Sequence, residues 1–345
     1  MRFSVRVNND LPADELFRLA TTAQEHGFDQ LWVSNDLLLR SAPALVGALA
    51  VRTSTLQLGI GVVNPYSVHP AELAMAAATL QELSGGRFLL GVGAGSAEFL
   101  SWAGIPRPEP LARTRSAVAA LRALLGHRDV DAGDLPDWYK SQSRLRWDVD
   151  RPVPVYVGAM GPRMLRMAGE VADGALPLLY PPERFRTAVD AVQAGRTAAT
   201  HAGGTARPFD LPACFWVSVS GDGTAGRDAL AEKLAYYGPS ISPVLLADAG
   251  LTPEDFLPAA ALAQSGRPAA RLVDDRMLAL GIAGDPAAVV ARCRALQERG
   301  ATHLSFGPPL GPDPVAALAL LGREVLPALR AVTDPRPESA GSRHG

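Results

Sequence analysis

The chain has 345 residues, 33 of them basic and 35 acidic for a formal net charge of -2, with 48% hydrophobic and 20% charged side chains. A balance this close to neutral, with no run of Lys or Arg, supplies no field to gather nucleic acid or anionic lipid, and the composition is that of a packed globular chain. Residues 1–10 lack a charged head before an apolar stretch, and no apolar run nears the roughly 20 residues that span a bilayer, so the sequence predicts a cytoplasmic protein with no membrane or nucleic-acid partner.

Short apolar and β-branched runs alternate with longer helical patterns, which is the signature of βα units around a parallel sheet. Strands are predicted at residues 3–7, 30–33, 56–62, 87–92, 153–157, 174–178, 211–219 and 303–306. Eight such units favour a closed (β/α)8 TIM barrel filling one domain of residues 1–332. The first helix starts near Pro12, carries Asp14 and Glu15 in its first turn, repeats apolar residues at Leu16, Leu19, Ala20 and Ala23, and stops at Gly27. Helices at 286–299 and 314–329 repeat the design with Pro near each start.

Two stretches are too long for plain loops and are read as insertions after strands 4 and 7, at about 126–151 and 221–275. The second holds helical patterns at 229–237 and 253–263, and the polar tail 333–345, rich in Pro, Gly and Ser, is expected to be disordered. Cys214 and Cys293 lie far apart with no CxxC pair and no His cluster, a pattern that suits neither a disulfide nor a zinc site.

Chemistry in a barrel sits at the C-terminal ends of its strands. There the second strand delivers Ser34, Asn35 and Asp36, the third Gly61-Val62-Val63-Asn64-Pro65-Tyr66, the fourth Gly91-Val92-Gly93-Ala94-Gly95-Ser96, and the fifth Gly158-Ala159-Met160-Gly161-Pro162-Arg163. The run 91–96 departs from a dinucleotide fingerprint at Ser96 and reads either as a tight turn of small residues or as backbone that a planar ring can approach. At 158–163, glycines and a proline open a helix directly after a strand. Free N–H groups at the positive end of a helix dipole suit a phosphate, with Arg163 as a further contact, although an ordinary helix start has the same pattern.

Three long segments, 61–95, 153–176 and 305–326, together resemble the methylene-tetrahydromethanopterin reductase group of the bacterial-luciferase-like superfamily. The resemblance implies a barrel whose C-terminal mouth holds a flavin-like ring, coenzyme F420 or, in neighbouring branches, flavin mononucleotide (FMN). It also implies a non-proline cis peptide after the third strand, by position Gly61–Val62, forming a bulge under the ring. Asn35, Asn64, Gly93, Ala94 and Gly95 would then line the ring, with Gly158, Ala159, Gly161, Pro162 and Arg163 toward the phosphate-bearing tail. The group commonly forms dimers through early barrel helices, so a homodimer is expected.

The catalytic positions differ from the group's pattern. Arg6 stands where the reductases place a glutamate, Asn35-Asp36 where related dehydrogenases place Asp-His, and Ser96 where those dehydrogenases have an acid. The reading is therefore an F420-dependent oxidoreductase acting on a small organic substrate, with C=N or C=C reduction in first place. An FMN-dependent monooxygenase and a non-catalytic flavin-binding barrel are the alternatives. Asp36 is the first choice of proton donor, with a solvated or helix-capping loop acid as its plain alternative. Arg6 would bind an acidic substrate group or pair with a carboxylate, Tyr66 and Tyr180 are weaker donors, and His69 before Pro70 suits a capping or packing role.

Overall fold

The structure is a computed structural model that describes residues 1–178, 180, 183–201 and 208–331; the expected disorder of 333–345 lies outside these residues. Nine parallel strands form one curled sheet: β1 (Arg2–Val7), β2 (Gln30–Val33), β3 (Gln57–Val63), β4 (Phe88–Val92), β5 (Val155–Gly158), β6 (Gly174–Leu176), β7 (Ala213–Val219), β8 (Ile282–Gly284) and β9 (His303–Leu310). Their order is β6-β5-β4-β3-β2-β1-β9-β7-β8. Isolated bridges Gly174–Asp210 and Leu178–Cys214 draw the β6 side of the sheet toward β7.

The count of eight predicted strands is corrected by β8, whose three residues pair Ile282, Ala283 and Gly284 with Val217, Ser218 and Val219. So short a strand leaves no alternation to read, and Asp285-Pro286, which starts the next helix, immediately follows it. Asp285 caps that helix by accepting from the Ala288 N–H at 2.8 Å. The closing helix predicted at 314–329 is interrupted: α-turns at Pro314–Leu320 and Leu326–Arg330 flank a π-turn at Leu321–Val325. Pro327 has no N–H to donate and its ring crowds the preceding turn, which accounts for the widened stretch before it. Within residues 221–275 the structure holds helices Thr224–Tyr237, Pro243–Asp248 and Leu257–Gln264, whereas 126–151 contains one short turn at Ala132–Asp134.

Strand side chains alternate between two cores. Phe3, Val5 and Val7 pack outward with Leu16, Leu19 and the other helix faces in one large cluster, while Trp32, Leu89, Tyr156, Leu176 and Cys214 fill the concave side as a second cluster. Trp32 lies edge-on to Tyr156 with centroids 5.1 Å apart, and it occupies the space a Cβ on Gly59 would need. Toward the N-terminal end of the strands the inner side is polar. His303 Nε2 lies 2.9 Å from Ser4 Oγ and its Nδ1 3.0 Å from Asp210, which also accepts from Tyr156 Oη at 3.0 Å and pairs with Arg2 at 2.8 Å. This Ser-His-Asp order resembles a nucleophilic triad, yet Ser4 and His303 are fully buried, so its role is to satisfy polar groups inside the sheet.

No helix among the described residues is long and apolar enough to cross a membrane, and none of their acidic, His and Cys side chains group in threes that could hold a metal ion. Both cysteines are free and buried.

Candidate active site

The C-terminal end of β3 is shaped by a cis peptide at Gly61–Val62, and the pairing of β3 with β4 shifts register between Ile60 and Val63. The Val62 side chain then lies over glycines of the two next strands. A Cβ on Gly93 would fall 2.7 Å from Val62 Cγ2, and one on Gly158 2.8 Å from Val62 Cγ1. Glycine is needed at both positions to seat Val62, a reason the sequence reading did not contain. Gly95 has a φ of 70° and follows Ala94, whose carbonyl accepts from Arg107 Nε at 2.9 Å.

Asn64 is 4% exposed, and its Oδ1 accepts from the N–H groups of Tyr66 (3.1 Å) and Ser67 (2.8 Å) and from Ser67 Oγ (3.1 Å). That turn fixes the amide's orientation while Nδ2 has no partner among the described residues, so its donors remain for a ligand. Asn35 is half-buried beside Asp36.

After β5, the chain enters helix Pro162–Val171 with Gly161 at its N-cap. The Ala159 N–H is already given to Leu176 O at 3.1 Å, which narrows the predicted anion site to the groups that follow it. Arg163 and Met164 sit in the first turn, whose N–H groups have no intrahelical acceptor, and the space beside Gly161 is open. Arg163 is exposed.

Asp36 is held by a residue that sequence reading missed. Asn9, fully buried after β1, accepts from the Asp36 N–H at 3.2 Å and donates Nδ2 to the Asp36 carbonyl at 3.0 Å and the Arg40 carbonyl at 2.8 Å. Ser34 Oγ accepts from the Asn9 N–H (3.0 Å), and its single hydrogen fits Asn9 Oδ1 at 2.9 Å better than Asp36 Oδ2 at 3.4 Å. The Asp36 carboxyl thus sits half-buried with weak hydrogen-bond support. Burial raises its pKa, Lys233 and Ser34 oppose that rise, and Asp10 adds to it.

Lys233, on helix Thr224–Tyr237, is the second unforeseen group. Its Nζ lies 4.2 Å from the Tyr237 ring centroid and 5.6 Å from that of Trp216. Burial depresses its pKa to about 8; Asp10 and Asp36 pull it up and Arg6 pushes it down. Burial likewise raises the Tyr237 hydroxyl to about 12, with Asp36 and Asp10 adding to the shift. One of two lysines in an arginine-rich chain was the only available signal for it, and by itself that signal names no role.

Arg6, on β1, is half-buried on the concave side, where Nε donates to Ser305 Oγ at 3.2 Å and Nη2 to the Phe215 carbonyl at 2.8 Å. No carboxylate pairs with it among the described residues, and burial lowers its pKa. Tyr66 is placed differently: its hydroxyl donates to the Pro108 carbonyl at 2.7 Å, which commits the hydrogen expected to serve chemistry. Tyr180 likewise donates to Met160 O at 2.9 Å. His69 caps helix Pro70–Leu83 by accepting from the Ala71 N–H and packs on Trp138 with centroids 4.6 Å apart, the capping and packing role expected of it.

Known proteins with similar sequences and structures fit this arrangement. A family description, "Luciferase-like monooxygenase", matches residues 1–303. The chain is 32% identical over 339 residues to the 5,10-methylenetetrahydromethanopterin reductase of Archaeoglobus fulgidus, covering 96% of this chain and all (100%) of that one. It is 31% identical to the F420-dependent glucose-6-phosphate dehydrogenase of Nakamurella multipartita, with 92% of this chain and 93% of that protein covered. The solved structure of the coenzyme F420-dependent tetrahydromethanopterin reductase from Methanopyrus kandleri superposes with a TM-score of 0.81 at 28% identity, covering 95% of this chain and 99% of that one.

Proposed function

Because the chain belongs to the luciferase-like monooxygenase family, we propose that it is an F420-dependent oxidoreductase that moves hydride between the deazaflavin and a small organic substrate, with C=N or C=C reduction as its main direction. The observation that carries this reading is the likeness over nearly the whole length to F420-dependent enzymes, joined to a strand-end site whose free donors suit such a coenzyme. In the same reading, β1 to β7 and β9 are the eight strands of a TIM barrel in one domain, β8 is an addition, and 126–151 and 221–275 are insertions.

The residues present fit the coenzyme. Asn64 Nδ2 and Asn35 would face the ring, the Gly93-Ala94-Gly95 backbone and the Gly61–Val62 bulge would lie against it, and the turn of Gly158, Ala159, Gly161, Pro162 and Arg163 would face the phosphate-bearing tail, its free N–H donors coming from the residues after Ala159. When bound, the deazaflavin supplies or accepts a hydride. Asp36 gives a proton to one atom of the substrate double bond as hydride reaches the other, then recovers a proton from solvent. Its raised pKa keeps that proton on the carboxyl at higher pH than an ordinary aspartate would.

Exposed Met75 and Leu83 on helix Pro70–Leu83, with Val51 just after helix Ala42–Ala50, leave apolar side chains on the early helical segments where a homodimer would form, and light scattering giving only monomer would count against it. The functional reading is tested by titrating the protein with coenzyme F420 and FMN in parallel. Tight F420 binding is expected; tight FMN binding with oxygen uptake would favour a monooxygenase instead.

A further inference from the structure

Arg6 is a guanidinium with a seat prepared for it. A Cβ on Gly307 would collide with its Cζ and Nη2, so the glycine on β9 exists where the guanidinium lies across the sheet. Ser305 Oγ and the Phe215 carbonyl hold its Nε and Nη2, and both are neutral acceptors. Nη1 has no hydrogen-bond partner among the described residues, and it is not sealed from solvent. A half-buried cation with only neutral partners and a free N–H edge is better compensated when an anion joins it.

The second cation is linked to Arg6 through the β9–β7 strand pair, in which Trp216 lies in register with Gly307. Trp216 follows the Phe215 that anchors Arg6, and its ring is one of the two that flank Lys233 Nζ. Lys233 makes no hydrogen bond or ion pair among the described residues; its ammonium meets the ring faces of Trp216 and Tyr237 and the fields of Asp10, Asp36 and Arg6. Resting on the oxidoreductase reading above, we infer that Arg6 and Lys233 form an anion seat for the substrate, and that the substrate is a small organic monocarboxylate whose reducible double bond lies near its carboxylate.

Charge balance selects a monoanion. Lys233 stands in the fields of the Asp10 and Asp36 carboxyls while Arg6 has no carboxylate partner among the described residues, so with the catalytic proton on Asp36 these four groups together hold one excess positive charge. A carboxylate neutralises it, whereas a phosphate dianion would leave an excess negative charge beside Asp10. The bound carboxylate also disfavours ionisation of Asp36 and so keeps the proton in place until hydride transfer. Arg6 gives the planar fork that a carboxylate matches, and it takes no part in proton transfer.

The test uses the full chain with oxidised F420, so that no turnover occurs, and calorimetric titration with acrylate, crotonate and cinnamate against their primary amides. At least one acid is expected to bind about tenfold or more tightly than its amide. The preference should fall to within about twofold in Arg6→Gln, return in part in Arg6→Lys, and weaken in Lys233→Met. Equal or absent binding of every acid and amide, retention of the full preference in Arg6→Gln, or tighter binding of methyl phosphate than of any acid would each overturn the seat. F420 affinity is measured separately in the same proteins. Loss of F420 binding with the acid preference intact would sink the coenzyme reading and leave the seat standing.

Discussion

Asn9 grips Asp36 through both backbone groups of that residue, accepting its N–H at 3.2 Å and donating to its carbonyl at 3.0 Å. A loop acid at a strand end would otherwise be free to turn into solvent. Asn9→Ala removes four side-chain hydrogen bonds from a fully buried position and should destabilise the fold by about 1–3 kcal/mol. Turnover should fall more than stability explains, because the carboxyl loses its aim. Thermal unfolding and turnover measured on the same preparation separate the two effects. Wild-type turnover in a folded Asn9→Ala protein would show that Asp36 needs no such support.

Asp36→Asn is expected to reduce turnover by roughly 100-fold while F420 affinity stays nearly unchanged. Its pH behaviour follows from the raised pKa. The folded carboxyl holds its proton to higher pH than an ordinary aspartate, so the contribution of this group to stability is fully present below the unfolded pKa and is lost as pH rises through the folded one. At neutral pH the Asn variant should therefore be as stable as wild type or more so, with the difference shrinking in acid. Urea titrations of both proteins across pH 3 to 8 check the trend, and a variant that is less stable than wild type at neutral pH, with the deficit shrinking in acid, would contradict it.

Much of this architecture was legible from local signals, since strand runs and the helix starts at Pro12 and Pro286 need only neighbouring residues to be read. The pairs that make the site are distant in sequence. Asn9 and Asp36 are 27 residues apart, and Arg6 reaches Phe215 across 209. No periodicity reports such meetings, so Asn9, Lys233, Trp216 and Gly307 stayed silent until the strands were placed side by side.

Gly158 and Val62 offer a test of packing at the strand ends. Gly158→Ala puts a methyl 2.8 Å from Val62 Cγ1 and should destabilise by about 1–3 kcal/mol while weakening F420 binding. Val62→Ala removes that atom, so the double variant should recover much of the loss. Strict additivity in the double-mutant cycle would mean the two side chains do not compete for the same space.

Arg163, exposed in the first turn of its helix, should contribute to the coenzyme's phosphate contact. Arg163→Ala is expected to weaken F420 binding by roughly tenfold at low salt and by less at high salt, since the contact is electrostatic and screened. Unchanged affinity at both ionic strengths would direct Arg163 away from the phosphate while leaving the backbone donors available.

Which flavin-like ring the chain uses decides its chemistry, and one stopped-flow measurement addresses it. The protein is loaded with chemically reduced F420 without oxygen and mixed with a panel of enones, imines and their carboxylate-bearing analogues, and the absorbance of oxidised F420 is followed. The account predicts a catalysed, substrate-dependent return of that absorbance for at least one acceptor, slowed strongly in Asp36→Asn. Protein that binds FMN tightly, ignores F420 and consumes oxygen would contradict it.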